Sequence, residues 1–178
     1  MKYSTLILAG SLLSAQALAD FTLSSSDIRA GEMMPKQQEF QGFGCDGGNL
    51  SPQLSWQGAP AGTRSFAITA YDPDAPTGSG WWHWLAFNIP ADTTSLASGA
   101  SGNAMPAGSV ESRTDYGSVG FGGACPPAGD KAHRYQFTVF ALNTDKLDLP
   151  ADSSGALVGY YLNAHALGKA TLESLYQR

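Results

Sequence analysis

Three stretches of the chain alternate their apolar and polar positions with the period of two that a β-strand imposes on its two faces. Ser65 to Tyr71 gathers Phe66, Ile68 and Ala70 on one side. Strict alternation from Trp81 to Ile89 groups His83, Leu85, Phe87 and Ile89 against Trp82, Trp84, Ala86 and Asn88. From His133 to Leu142 it sets His133, Tyr135, Phe137, Val139 and Ala141 opposite Arg134, Gln136, Thr138, Phe140 and Leu142. The period changes after Ser153. Leu157, Tyr160 or Tyr161, Ala164, Leu167, Leu172 and Leu175 approximate a helical stripe as far as Gln177, with Gly168 as a break. Weaker signals predict short strands at Phe21–Leu23 and over Asn49–Trp56, the latter closed by the turn Ala59-Pro-Ala-Gly62. Gly42–Gly48 and Gly99–Gly129 read as glycine-rich loops, the second carrying short edge strands. The pattern is that of one mainly β domain closed by a C-terminal helix.

The first nineteen residues stand apart from this pattern. Lys2, the apolar run Leu6 to Leu13 and the small residues around Ala17-Leu18-Ala19 have the order of a secretory signal peptide. The apolar run is well short of the ~20 residues a membrane-spanning helix needs. No cysteine follows the cleavage site to carry a lipid. The reading is therefore a signal peptide over 1–19, a mature domain over 20–178, and a periplasmic destination.

Composition supports the β assignment and excludes one class of partner. Charged residues make up 14% of the chain against 21 glycines and 10 prolines, a mix suited to strands joined by turns. Loss of Lys2 with the leader takes the formal charge from −5 to −6, so nucleic acid is not an expected partner. Cys45 and Cys125 are the only cysteines. In an exported chain such a pair predicts a single bridge, with two buried free thiols as the alternative.

Candidate chemistry collects where these strands begin or end. Two of the three histidines, His83 and His133, sit at the starts of strands on their more apolar faces. A lone histidine there reads as a core imidazole bonded to a backbone carbonyl; a second in the same setting favours a shared pocket. Tyr135 lies two residues from His133 on the same face, and Asp72 ends the strand that starts at Ser65. In the turn Asp72-Pro-Asp-Ala-Pro76, Asp74 is expected to satisfy turn amides, whereas Asp72 is expected to point toward the histidines. Arg134 faces away and reads as an ion-pair partner, and His165 as a packing or surface residue of the helix. Two imidazoles, a carboxylate and a phenol suit a small-anion site. A metal site of two histidines and a carboxylate, or a hydrolase, are the alternatives. Gly78-Ser-Gly80 lacks the five-residue elbow of a hydrolase nucleophile, and no phosphate-binding loop, dinucleotide fingerprint or zinc-protease motif is present.

At these residues the chain resembles the phosphatidylethanolamine-binding protein family, in particular its bacterial Raf-kinase-inhibitor-like branch. The resemblance is carried by Asn49-Leu-Ser-Pro52, Tyr71-Asp-Pro-Asp-Ala-Pro76, Trp81-Trp-His-Trp84, Asp115-Tyr-Gly117, Gly122-Gly-Ala-Cys-Pro-Pro127 and Gly129-Asp-Lys-Ala-His-Arg-Tyr135. It implies a β-sandwich of two largely antiparallel sheets with a C-terminal α-helix. It also implies a non-enzymatic pocket, without cofactor or metal, for phosphate or a phosphorylated head group. Carried over residue by residue, that pocket uses Asp72, Pro76, Trp81, His83, Pro127, His133 and Tyr135. A homodimer is a further implication. One departure is Trp82, where eukaryotic relatives often have a histidine. A second reading makes the protein an interaction module or protease inhibitor acting through Gly42–Gly48 or Gly99–Gly123, with an exported location arguing against kinase regulation.

Overall fold

The long alternating stretches become the middle of one sheet. In the computed structural model, which describes residues 20–178, the chain runs through β1 (Thr22–Ser24), β2 (Gln41–Gly42), β3 (Cys45–Asp46), β4 (Leu54–Gln57), β5 (Ser65–Asp72) and β6 (Trp81–Pro90). It continues through β7 (Ser95–Leu96), β8 (Val110–Glu111), β9 (His133–Leu142), α1 (Gly155–His165) and β10 (Ala166–Tyr176). The expected signal peptide, residues 1–19, lies outside the described residues. Five antiparallel strands pair in the order β10-β9-β5-β6-β8, and a second sheet has the order β1-β4-β7. A small ribbon, β2-β3, stands beside them.

The large sheet buries both faces, which is why its central strands are apolar nearly throughout. On one face Phe66, Ile68, Trp84, Phe137 and Val139 join Leu54, Trp56 and Leu96 of the smaller sheet in one core. On the other face Ala67, Leu85, Phe87, Phe140 and Leu142 lie under Val158 and Leu162 of α1. That helix starts at Ser154, whose hydroxyl accepts a hydrogen bond from the Leu157 amide at 3.3 Å, and buries its i, i+4 pair Val158 and Leu162.

Two expectations fail here, each for a physical reason. The helical stripe to Gln177 is in fact a short helix followed at once by β10. Ala170, Leu172, Ser174 and Tyr176 are buried in alternation, and the polar Ser174 hides that period in the sequence by donating its hydroxyl to the Glu32 carbonyl at 2.7 Å. The backbone of β9 offers a sheet edge that β10 fills over nearly its whole length. Gly168 is not a helix break but lies in β10 at a register shift, where a Cβ would come 2.9 Å from the Pro60 ring.

Strict alternation also fails in β6. Trp84 and Ala86 join the face toward the small sheet, while Leu85 and Phe87 turn toward the helix. Two register shifts against β5 account for this. Ala70 pairs with Trp84 and Tyr71 with Trp82, which leaves His83 as an extra, unpaired residue. Phe66 pairs with Ile89 and Ile68 with Ala86, so Phe87 and Asn88 stand together opposite Ala67, with Asn88 at φ 58°. A β-bulge re-aims the side chain it displaces. The smaller predicted strands shift too: β1 is Thr22–Ser24, and of Asn49–Trp56 only Leu54 onward is strand.

Candidate functional site

One end of the large sheet opens into a cavity of about 200 Å³. Three strands supply its polar wall. The last residue of β5 contributes Asp72, the start of β6 contributes Trp81 and His83, and the start of β9 contributes His133 and Tyr135. The rigid turn after β5 adds Pro76, and the segment before β9 adds Pro127. All seven residues picked out in the sequence therefore line the same cavity. Phe43 and Tyr116 line it as well and were not picked out, and so does Cys125, which the sequence marked only for the bridge to Cys45. The signal for Tyr116 was present in Asp115-Tyr-Gly117, but nothing in that motif tells which way the ring points.

The bulge in β6 decides the position of His83. As the unpaired residue, its side chain falls on the face that carries Tyr135, with the two ring centroids 5.1 Å apart and nearly perpendicular. Its Nδ1 donates to the carbonyl of Gly122 at 2.8 Å and lies 3.1 Å from that of Gly123. Carbonyl oxygens only accept, so Nδ1 carries a proton and Nε2 is the free nitrogen of the neutral ring. Burial holds this imidazole below the usual histidine range, against the pull of the same carbonyls and of Asp72. His83 is thus both a carbonyl-bonded core histidine and a cavity wall.

The Gly122–Gly123 strap is itself closely fitted. The Gly122 amide donates to the His83 carbonyl at 2.8 Å, and the Gly123 carbonyl accepts the Tyr116 hydroxyl at 2.9 Å. Beside it, Cys125 is bridged to Cys45 across 80 positions, with Cα atoms 6.0 Å apart. The bridge fastens the loop that carries Phe43, which is 73% exposed and has φ 55° at the cavity rim.

His133 and Asp72 form a buried pair, each 3% exposed or less, with Nδ1 donating to Oδ2 at 2.8 Å. The other Asp72 oxygen accepts the Asp74 amide at 2.8 Å, and His133 Nε2 lies 3.5 Å from the Asp130 carboxylate. The turn amide is therefore held by Asp72, not by Asp74 as expected. Asp74 instead takes both the side chain and the backbone amide of Arg134 at 2.9 Å, and that guanidinium holds its carboxyl down to about 2. Arg134 is the outward ion-pair residue its position implied. Trp82, at the position of the eukaryotic histidine, points away from the cavity. It packs under α1 and against the Tyr71 ring at 4.5 Å. His165 closes α1, its Nδ1 3.0 Å from the Asn143 side-chain oxygen.

Two polar atoms of wall side chains are poorly partnered. The Trp81 indole N–H is fully buried without a hydrogen-bond partner among the described residues, and the equally buried Tyr135 hydroxyl has only the Asp72 carboxylate within reach. Burial, with the nearby Asp72 charge, pushes the Tyr135 phenol far up, so it stays a neutral O–H donor. An unpaired buried donor costs about 1–3 kcal/mol, so the packing around these two side chains of the cavity wall carries a local cost. No group of three or more histidine, cysteine or acidic side chains suited to a metal occurs among the described residues.

Comparison with known proteins agrees with this architecture. A family model described as phosphatidylethanolamine-binding protein matches residues 24–177. The chain is 53% identical to the protein YbcL of Escherichia coli over 174 residues, covering 96% of this chain and 94% of YbcL. It is 48% identical to E. coli YbhB over 156 residues, covering 86% of this chain and 98% of YbhB. The crystal structure of E. coli YbcL, described as a new member of the mammalian PEBP family, superposes with a TM-score of 0.88. That match covers 90% of this chain and 99% of the other.

Proposed function

Because the chain belongs to the phosphatidylethanolamine-binding protein family, we propose that it is a non-enzymatic binding protein whose cavity receives a small oxyanion, either phosphate or a phosphorylated head group. The observation that carries this reading is that His83, His133, Tyr135 and Trp81 line one small cavity. Imidazole, phenol and indole groups around so small a space suit an oxygen-rich guest. Asp72 serves to orient the His133 ring rather than to meet the guest, since it accepts from the His133 ring and its negative charge repels an anion. In this reading the protein is exported with residues 1–19 removed and acts in the periplasm as a homodimer. The Cys45–Cys125 bridge supports the exported location, because such bridges persist in oxidising compartments.

The test is calorimetric titration with inorganic phosphate of the wild type, His83→Ala, His133→Ala and the near-isosteric Tyr135→Phe. Binding by the wild type that weakens at least tenfold in each variant is the expected result; equal binding in all four proteins refutes it. A second reading, an interaction module or protease inhibitor, is supported by the exposed Phe43 on the disulfide-fastened loop. It predicts that Phe43→Ser abolishes partner binding while phosphate binding survives.

A further inference from the structure

The cavity has an unusual balance for an anion site. None of its lining residues is a lysine or arginine, while Asp72 is in its wall and Asp130 stands next to His133. The charged and titratable groups around His83 come from every neighbouring element: Asp72 from β5, His133 and Tyr135 from β9, and Asp115 and Tyr116 from the segment after β8. The Arg178 guanidinium is spent on the carbonyls of Pro126 and Gly44, and that of Arg134 on Asp74. A doubly charged guest would therefore enter a space bordered by carboxylates with no fixed cation to meet it.

The hydrogen-bond inventory narrows the guest further. Trp81 N–H and Tyr135 O–H are donor groups of side chains in the cavity wall. His83 offers the opposite. With Nδ1–H committed to the Gly122 and Gly123 carbonyls, Nε2 presents a lone pair and has no partner among the described residues. The complementary guest has at least two acceptor oxygens and one O–H on the same centre.

We propose that the cavity selects an oxyanion in its protonated, singly charged form, inorganic phosphate or a phosphate monoester, whose P–OH donates to His83 Nε2. This rests on the oxyanion reading above and adds a selectivity that reading lacks. A phosphodiester has one charge but no O–H, a monoester dianion has neither the O–H nor the low charge, and the dianion of inorganic phosphate keeps an O–H but carries the second charge. Lipid head groups in diester linkage are therefore poor guests, and monoesters are good ones. Above the second ionisation of the monoester, near pH 6, each guest must take one proton from solvent in order to bind.

The experiment compares methyl phosphate with dimethyl phosphate on the mature protein by calorimetry between pH 5.5 and 8.5, in buffers of differing ionisation enthalpy so that protons are counted. Methyl phosphate should lose about tenfold in affinity per pH unit above ~7, with uptake of about one proton per site at pH 8. Dimethyl phosphate should bind at least tenfold more weakly than methyl phosphate at pH 6. His83→Gln, whose amide can donate or accept, should bind methyl phosphate with a shallower pH dependence than the wild type, the remainder coming from the bordering carboxylates. Equal affinity for the two esters at pH 6, or no proton uptake by the wild type at pH 8, overturns the selectivity while leaving the oxyanion site standing. Failure of both esters and of inorganic phosphate to bind overturns the oxyanion site itself, and this inference with it.

Discussion

A single methyl group added at Gly123 should disturb both the fold and the cavity, and the same methyl at Gly159 should disturb neither. A Cβ at Gly123 would lie 2.3 Å from the Gln38 carbonyl oxygen and 2.6 Å from both the Glu39 carbonyl carbon and the Phe40 nitrogen. All three are backbone atoms, so no flexible side-chain end can move aside. The strap must separate from residues 38–40, loosening the Ala124 amide's bond to the Gln38 carbonyl at 3.0 Å and the Phe40 amide's bond to the Ala124 carbonyl at 2.9 Å. Overpacking of this kind costs about 1–3 kcal/mol. It also shifts the carbonyl that holds His83 Nδ1 and the Tyr116 hydroxyl. At Gly159, inside α1, the nearest atoms are carbons of the Trp82 ring at 3.8 and 3.9 Å, an ordinary contact. There alanine should stabilise by about 0.5–1 kcal/mol through its better helix propensity. Urea denaturation followed by fluorescence should move the midpoint down for Gly123→Ala and up or nowhere for Gly159→Ala, at constant slope. Phosphate affinity should fall only in the first. A Gly123→Ala protein as stable as the wild type, with unchanged phosphate binding, would refute the claim that the backbone strap sets the position of His83.

Three further outcomes follow from the same geometry. Asp72→Ala removes one partner of a buried pair and should destabilise by about 3–5 kcal/mol in chemical denaturation; a loss under 1 kcal/mol would show that His133 is held by other contacts. Replacing both Cys45 and Cys125 by serine reopens a loop of 80 positions, for which chain entropy gives about 4.5 kcal/mol and engineered cases commonly less. The thermal midpoint should fall clearly, and the mutant should gain no further sensitivity to reductant. Asp74, held down to about 2 by Arg134, has a folded-state value below its ordinary 3.8. Its contribution is thus complete above pH 4 and disappears as pH falls through 2. The stability difference between wild type and Asp74→Asn should shrink across that window, and a difference independent of pH from 5 to 2 would contradict the assignment.

The fold was legible wherever a local period reported a face. β9 matched its alternation residue for residue, because an uninterrupted strand between two packed layers leaves its burial pattern in the sequence. The seven cavity residues were also legible, as polar and aromatic side chains placed where strands begin or end. Three things were hidden. The β6 bulges add a residue without changing composition, so alternation assigned Leu85 and Phe87 to the wrong face although it grouped His83 and Tyr135 correctly on the cavity side. The strand nature of β10 depends on an open edge of β9 and on a serine whose partner, Glu32, is 142 residues away. Asp72 points to His133 as its position implied, but that it also holds the turn amide, while Asp74 is taken by Arg134, depends on the approach of β9.

By itself, then, the order of residues determined the three long central strands, which cysteines can pair and which side chains line the cavity, since these follow from short-range periodicity and residue type. Only the folded chain decided which nitrogen of His83 is free, which donors lack partners and which carboxylate holds which cation. Those outcomes are fixed by backbone carbonyls and charges that reach the cavity from distant parts of the sequence, and no local pattern encodes the distance between them.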